Sequence, residues 1–148
     1  MANHPRTDIR HKLVDFLKGH TGAGDNVEPN RVRPVHESDL PKILVYTLQE
    51  PADNSIERDE LPTRRDLQVV IECLEKKSAT MDDELDLLCG QVEEVLAEDD
   101  TVDGLMNDLQ YTGTAMSIQR EGQYEMGSAA LTYDGNYFTR QITGLKIP

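Results

Sequence analysis

The chain has 148 residues, of which 37% are hydrophobic and 5% aromatic, so we expect one domain with a lean, mostly aliphatic core. Its 28 acidic against 15 basic residues give a formal net charge of -13, which argues against binding to nucleic acid or to an anionic membrane surface. No apolar run approaches the roughly 20 residues of a membrane span, and the first residues lack the apolar segment of a secretory signal.

The chain begins with a helix signal. Apolar residues recur at helical spacing over residues 5–19, where Pro5 suits the first turn and Gly19 suits the stop. A polar, glycine-rich stretch at residues 20–30 then predicts a loop. Residues 31–35 predict a short strand whose proline suits the edge of a sheet.

Two further strands flank the longest irregular segment of the chain. The β-branched and aromatic run at residues 43–48 predicts a buried strand, and the alternation over residues 65–75 predicts a third strand. Between them, residues 50–63 are rich in proline and polar side chains and hold Ile56 and Leu61 as apolar anchors. Loops of this length are usually functional or disordered, so we predict poor order in a free subunit and order at a contact with another protein.

The second half of the chain predicts one helix and two long strands. Residues 81–97 carry a helical apolar stripe, and the acidic side chains in their first turns complement the helix dipole. Residues 109–119 and 123–139 read as extended segments joined by a turn at 120–122. Because Asp134-Gly135 is itself a turn signal, the last segment is either one continuous strand or a hairpin.

The element order is therefore α-β-β-β-α-β-β, within a single domain spanning residues 1–148. Strands joined mainly by hairpins, with helices inserted between them, are typical of the α+β class. We expect a mixed or antiparallel sheet of about five strands, with two main helices packed on it.

The sequence offers no recognisable catalytic pattern. It contains no phosphate-binding loop, no zinc-protease helix motif and no nucleophile elbow, and its four histidines are scattered. Cys73 and Cys89 lie on different predicted elements, and two cysteines are too few for a disulfide framework, so we expect buried, reduced thiols in a cytoplasmic protein. We expect no catalytic residue, no metal and no cofactor, and no enzymatic activity.

Short motifs follow one another along nearly the whole chain. In chain order, they are Arg6-x-x-Ile9; Arg31-Val32-Arg33-Pro34; Leu40-Pro41-x-Ile43-x-Val45-Tyr46; Arg64-x-x-Leu67-x-Val69-x-Ile71-x-Cys73; Asp103-Gly104-Leu105; Tyr111-Thr112-Gly113-Thr114; and Gly127-x-Ala129-x-Leu131-x-Tyr133. In this order and spacing the chain resembles the tail-terminator proteins of long-tailed phages, of the minor tail protein U type.

The resemblance implies a structural, non-enzymatic role in the morphogenesis of a phage or prophage. Such proteins assemble as a ring, typically a hexamer, on the end of a completed tail tube, where the ring stops polymerisation and presents a surface to the head-completion proteins. The implied partners are other copies of the chain, the tail tube protein and a head-completion protein. The implied location is the virion tail, after assembly in the host bacterial cytoplasm. A net charge of -13 fits this role, because mutual repulsion keeps free subunits apart and soluble.

The contacts of such an assembly are predicted in and beside the irregular segment. Arg58, Arg64 and Arg65 are the candidate subunit or tube contacts, together with Ile56 and Leu61. Arginine suits this use because its planar fork binds a carboxylate of a neighbour in a bidentate way. The alternative is that these arginines offset acidic residues nearby in the chain, namely Asp59, Glu60 and Asp66.

Three other functions remain open from the sequence. A head-tail connector or neck completion protein shares the size and the α+β character expected here. An acidic DNA-mimic or regulatory protein would occupy the groove of a basic partner and would stay small in solution. A small hydrolase would need an acidic pair such as Asp99 and Asp100, although adjacent acids at a helix end are more often solvated.

Overall fold

A computed structural model describes residues 3–31, 36–53 and 62–140 of the chain. Two helices pack on one face of a mixed β-sheet, so the expected α+β class and its two main helices are confirmed. In chain order the elements are α1 (Pro5–Leu17), β1 (Val27–Glu28), β2 (Lys42–Thr47), β3 (Ala52–Asp53), β4 (Pro62–Lys76), α2 (Met81–Ala97), β5 (Asp108–Glu121) and β6 (Tyr124–Arg140), with a 3-10 turn at Glu37–Asp39.

The sheet is built around β4. The strand order of the sheet is β1-β2-β4-β6-β5. The two-residue strand β3 pairs with β4 on the same side as β2, next to a different part of β4. β1 and β2 run parallel, and every other pairing is antiparallel. The five strands of the main path match the expected number, with β3 as a short addition.

Local signals at both ends explain the extent of α1. Pro5 takes the first helical position, and the backbone N–H of Arg6 donates to Nδ1 of His4 at 3.1 Å, which satisfies one of the free amides of the first turn. The helix ends at Leu17, and Gly19 then adopts a φ of +76°, a left-handed conformation that glycine adopts readily. The predicted helix at residues 5–19 is thus confirmed, two residues shorter at its end.

The main core lies between the helices and the sheet. β4 presents alternate residues to this face, as its period-2 pattern predicts, and α2 presents the apolar stripe expected from residues 81–97. Leu88 and Val92 of α2 are fully buried there, whereas Val95 is half-buried against the same cluster. Both cysteines, Cys73 on β4 and Cys89 on α2, are free and buried in it, as expected.

The opposite face of the sheet has a much smaller apolar cluster. Leu44, Leu74 and Met126 are fully buried there, with Tyr46 packed beside them. The guanidinium of Arg31 lies over the Tyr46 ring, 4.5 Å from its centroid, as in a cation–π contact.

The final strand is continuous. β6 runs from Tyr124 to Arg140 through Asp134-Gly135, and the chain reverses instead at Gly122, whose φ is +63°. A Cβ at Gly135 would overlap the backbone oxygen of Asp108 and lie 2.7 Å from Cε of Met106. Glycine stands at this position because the start of β5 approaches closely, so the turn interpretation of this pair is wrong.

Two short strands differ from the sequence expectation. β1 lies inside the predicted loop at residues 20–30, and β3 lies inside the predicted irregular segment at 50–63. That segment is narrower at its far end too, because Pro62 already belongs to β4. The rest of it, residues 54–61, lies outside the described residues, as does most of the predicted strand at 31–35, so both remain predictions.

Candidate interaction surfaces

Arg64 and Arg65 are the predicted contact residues that the structure describes, while Arg58, Ile56 and Leu61 lie outside the described ranges. Arg64 is 51% exposed, and its Nε pairs with a carboxylate oxygen of Asp66 at 2.9 Å. This pairing is the local offset of charge that the alternative interpretation anticipates. An exposed pair of this kind contributes only about 0–1 kcal/mol, so it leaves Arg64 able to exchange partners.

Arg65 belongs to a cluster around Glu50, and Arg6 joins this cluster from the start of α1. Its Nη1 is 2.8 Å from Oε1 of Glu50, and its Nε donates to Oγ1 of Thr139 at 2.8 Å. The same Glu50 oxygen pairs with Arg6 at 2.6 Å, and the hydroxyl of Tyr137 donates to the other Glu50 oxygen at 2.5 Å. Arg65 is thus engaged within its own subunit, with 21% of its side chain exposed.

The electrostatics of this cluster favour a charged Glu50. Burial raises the pKa of Glu50, but the hydrogen bonds from Tyr137, Arg65 and Arg6 outweigh it, and the pKa is lowered overall. Burial, followed by the hydrogen bond to Glu50, raises the pKa of Tyr137. The pKa of His4 is lowered by burial and by the neighbouring Arg6. The cluster therefore holds one carboxylate between two guanidinium groups, an arrangement suited to fastening α1 to the sheet.

Arg64 also borders a shallow groove on the sheet face opposite the helices. The groove has a volume of about 460 Å³, and three neighbouring strands, β4, β5 and β6, supply most of its lining. Asp66, Asp108 and Asp134 are among the lining residues, together with amide side chains such as Gln68. Sequence reasoning missed this groove because its lining residues meet only through strand pairing.

The strongest electrostatic feature is the distribution of charge over the molecule. Residues 78–119 contain eleven acidic residues and no lysine or arginine. This segment comprises α2, the turn after it and most of β5, and we call the surface that it forms the acidic flank. The exposed carboxylates of α2 belong to Asp82, Asp83, Glu84, Asp86, Glu93 and Glu94.

Beside one end of the acidic flank, the pKa of Glu75 is raised. The side chain is largely buried at the end of β4, and burial is the first cause of the raised pKa. The second cause is the nearby carboxylate of Glu84. Like charges are thus close enough here to disfavour one another.

Asp99 caps the turn that follows α2. Its carboxylate accepts hydrogen bonds from the hydroxyl and the backbone N–H of Thr101, at 2.7 and 3.0 Å, and from the N–H of Asp103 at 2.8 Å. These bonds, with the Thr101 hydroxyl first, lower the pKa of Asp99. The turn places Val102 and Asp103 at φ values of 51° and 55°, a conformation that such side-chain caps help to hold. The hydrolase hypothesis had offered this aspartate, beside Asp100, as an acid; the structure gives it a local structural role.

The structure also bears on metal binding and on membrane insertion. Within residues 3–31, 36–53 and 62–140, no three side chains of His, Cys, Asp or Glu are grouped so that they could hold a metal ion. In the same part of the chain, neither helix has the length and apolar character needed to cross a membrane.

Comparison with known proteins yields a weak structural likeness. No protein-family model and no curated protein sequence matches the chain. One solved chain that does match comes from a structure described as "Virion of native gene transfer agent (GTA) particle". It is 12% identical, covers 88% of this chain and 94% of its own length, and superimposes with a TM-score of 0.39. A score of this size marks a loose likeness of overall path, and neither the fold nor the function of this chain follows from it.

Proposed function

We propose that this chain is a structural, non-enzymatic protein of phage or prophage morphogenesis. It forms a ring, a hexamer by the family resemblance, that caps the completed tail tube, ends tube polymerisation and presents the joining surface for the head. Its partners are other copies of itself, the tail tube protein and a head-completion protein, and it resides in the virion tail. The resemblance of the motifs suggests this biological role, and the distribution of charge over the molecule is the physical observation that supports it.

The observation that carries this proposal is the unequal distribution of charge between the two edges of the sheet. α1 packs on β1 and β2 and α2 packs on β4 and β6, so α1 lies toward the β1 edge of the sheet and the acidic flank toward the β5 edge. The two helices contact each other between these edges, and Lys12 of α1 pairs with Asp103 of the flank at 3.4 Å. Up to Lys18, α1 and its cap residue carry four basic residues against two acidic ones. A molecule with unlike opposite sides favours head-to-tail contacts, and head-to-tail contacts close into rings when the rotation between copies permits.

The direct test is the polymerisation of the tail tube protein from the same genome. We expect the purified chain, added while tubes grow, to shorten them in proportion to its concentration, as measured by electron microscopy of stained tubes. Bovine serum albumin at equal concentration controls for crowding. Tubes of unchanged length, with no density added at their ends, would contradict the capping function.

A second candidate function is favoured by the acidic flank itself. Eleven acidic residues without a basic one could imitate the phosphates of DNA and occupy the groove of a basic partner. This DNA-mimic reading predicts a small species that never forms a ring. A neck completion protein, the third candidate, would bind head portals in place of tube ends, so binding to isolated portals and tubes separates it from a terminator.

A further inference from the structure

Among the described strands, β5 forms an edge of the sheet, and most of its length has no charged residue and no proline. It pairs with β6 on one side, and no other described strand pairs with it. Alternate residues of an edge strand point their N–H and C=O groups outward, where they can pair with another chain, and natural proteins usually block such edges with charges or proline. Residues 109–119 contain neither, in a chain where 29% of residues are charged.

The side chains of this edge are also exposed and partly apolar. Met116 and Ile118 are 50% and 58% exposed, and Tyr111 is 45% exposed. All three point to the helix-bearing face, because their partners on β6 are Ala129, Gly127 and Tyr133. α2 packs on β4 and β6, so its body stands beside this strip without covering it. The result is a strip of exposed apolar side chains next to a backbone edge with which no other described strand pairs.

One irregularity interrupts the edge. The pairing register shifts between Tyr111 and Gly113, which leaves a bulge at Thr112. Beyond the bulge, residues 114–118 are all exposed and regularly paired with β6. This stretch is regular enough to receive another strand or a complementary surface, whereas a bulge discourages pairing at its own position.

We propose that the β5 edge, with Met116 and Ile118 at its centre, is the surface on which a second copy of this chain docks, head to tail. The proposal rests on the proposed ring function and names the interface that it requires. The receiving surface is the opposite side of the neighbour, formed by α1, β1 and β2. There β1 pairs with only Ile43 and Leu44 of β2.

Charge complementarity selects this orientation over pairing of two β5 edges. Acidic residues of the flank such as Glu93 and Asp100 lie beside the start of β5, so a β5-to-β5 contact would bring two acidic surfaces together, at a cost from like-charge repulsion. At the opposite edge, the basic residues Arg10, Lys18 and Arg31 stand among acidic residues such as Asp15 and Glu28, so this edge is much less acidic than the flank. A head-to-tail contact therefore sets an acidic surface against a more basic one, while apolar Met116 and Ile118 leave water.

The test uses two variants with equal charge change and similar exposure. Ile118→Lys places a charge on the β5 edge, and Leu87→Lys, at a side chain 64% exposed on α2, places the same charge elsewhere on the acidic flank. We expect the parent to form a multi-subunit species by light scattering, Ile118→Lys to lower its association constant at least tenfold, and Leu87→Lys to keep the parent mass. Thermal melting confirms that each variant is folded, and Met116→Lys serves as a second edge variant.

Mixing separates the two possible geometries. An Ile118→Lys copy can still bind a parental β5 edge through its α1 side, but its own β5 edge is blocked. Adding a small amount of this variant to the parent should therefore terminate head-to-tail assemblies and lower their mass. Exclusion of this copy from parental assemblies would show β5-to-β5 pairing and overturn the proposal. So would a parent that stays monomeric at every concentration, an Ile118→Lys variant that keeps the parent mass, or an equal loss of mass in Leu87→Lys. The tube-capping assay reports separately on the proposed function, so either idea can fail alone.

Discussion

Glu50 shows how a single side chain ties distant parts of this chain together. Its carboxylate, only 7% exposed, binds Arg6 at the start of α1, Arg65 on β4 and Tyr137 on β6. A carboxylate removed from water is costly unless its oxygens are satisfied, and here each oxygen has a short, charge-assisted or hydroxyl partner. Removing Glu50 would leave two guanidinium groups facing each other without a counter-charge.

We therefore predict that Glu50→Gln lowers the free energy of unfolding by about 1–3 kcal/mol at pH 7. Because the pKa of folded Glu50 lies below its ordinary value of 4.5, its contribution is fully present above that value and is lost as the pH falls through the folded pKa. The difference between parent and variant should thus shrink in acid. Urea unfolding at a series of pH values between 7 and 3 measures it.

The exposed pair of Arg64 and Asp66 provides the control for this experiment. Asp66→Asn removes a similar acid–arginine pair, but one whose partners are 51% and 44% exposed. We expect a change below about 0.5 kcal/mol for it. Equal losses in the two variants would mean that the Glu50 cluster contributes no more than a surface pair.

At the scale of elements, long periodic segments were predictable and very short ones were not. The bounds of α2 match the prediction at both ends. β4 carries a period-2 alternation of apolar residues, which is typical of a strand. β1 and β3 have two residues each, too few to show any period, and they exist only because β2 and β4 offer them open edges. The fold class therefore followed from the sequence, and the small strands did not.

The same contrast holds for the candidate surfaces. The acidic flank is visible in the sequence as a long stretch without lysine or arginine. The hydrogen bond between Glu50 and Tyr137 in the Glu50 cluster joins residues 87 positions apart, so no local spacing could indicate the cluster. For the Asp134-Gly135 pair, the sequence left a continuous strand and a hairpin open, and the close packing of β5 against Gly135 accounts for the continuous strand.

That packing gives a prediction about Gly135. Gly135→Ala introduces a methyl group that must displace the backbone of Asp108 or the side chain of Met106, and overpacking of this kind costs about 1–3 kcal/mol. Gly113→Ala is the matched control on β5, because no atom lies within 4 Å of its added methyl. Differential scanning calorimetry should show a lowered Tm for Gly135→Ala alone, and an unchanged Tm there would refute the close approach of β5.

The packing of α2 on the sheet gives a further prediction, about the stability of the fold. Leu88 is 2% exposed beneath the helix, so Leu88→Ala should lower the free energy of unfolding by about 2–5 kcal/mol, through lost burial and the cavity left behind. Leu87→Ala, one residue earlier on the solvent side, should change it by less than about 0.5 kcal/mol. Chemical denaturation compares the two, and similar values would show that the helix does not bury the face assigned to it.

At the scale of the whole molecule, two kinds of charge effect oppose each other. The net charge of -13 repels every pair of copies at long range, while the acidic flank of one copy and the less acidic α1 side of another attract at close range. At about 0.1 M salt the Debye length is about 10 Å, so screening weakens the long-range repulsion between copies more than the attraction at the contact. The reason is that charges in contact lie closer together than the Debye length. Assembly should therefore depend on where a charge is placed as well as on how many charges there are.

Arg64 provides the test of that dependence. Arg64→Glu places a negative charge beside Asp66 and the acidic groove, and charges near a contact mainly change association rates. We predict that assembly slows about tenfold, while the free energy of unfolding changes by less than about 0.5 kcal/mol. Lys77→Glu makes the same charge change at a side chain 70% exposed and paired with Glu125 at 3.3 Å. Time-resolved light scattering should show slower growth for Arg64→Glu than for Lys77→Glu; equal slowing would mean that Arg64 acts only through the net charge and forms no subunit contact.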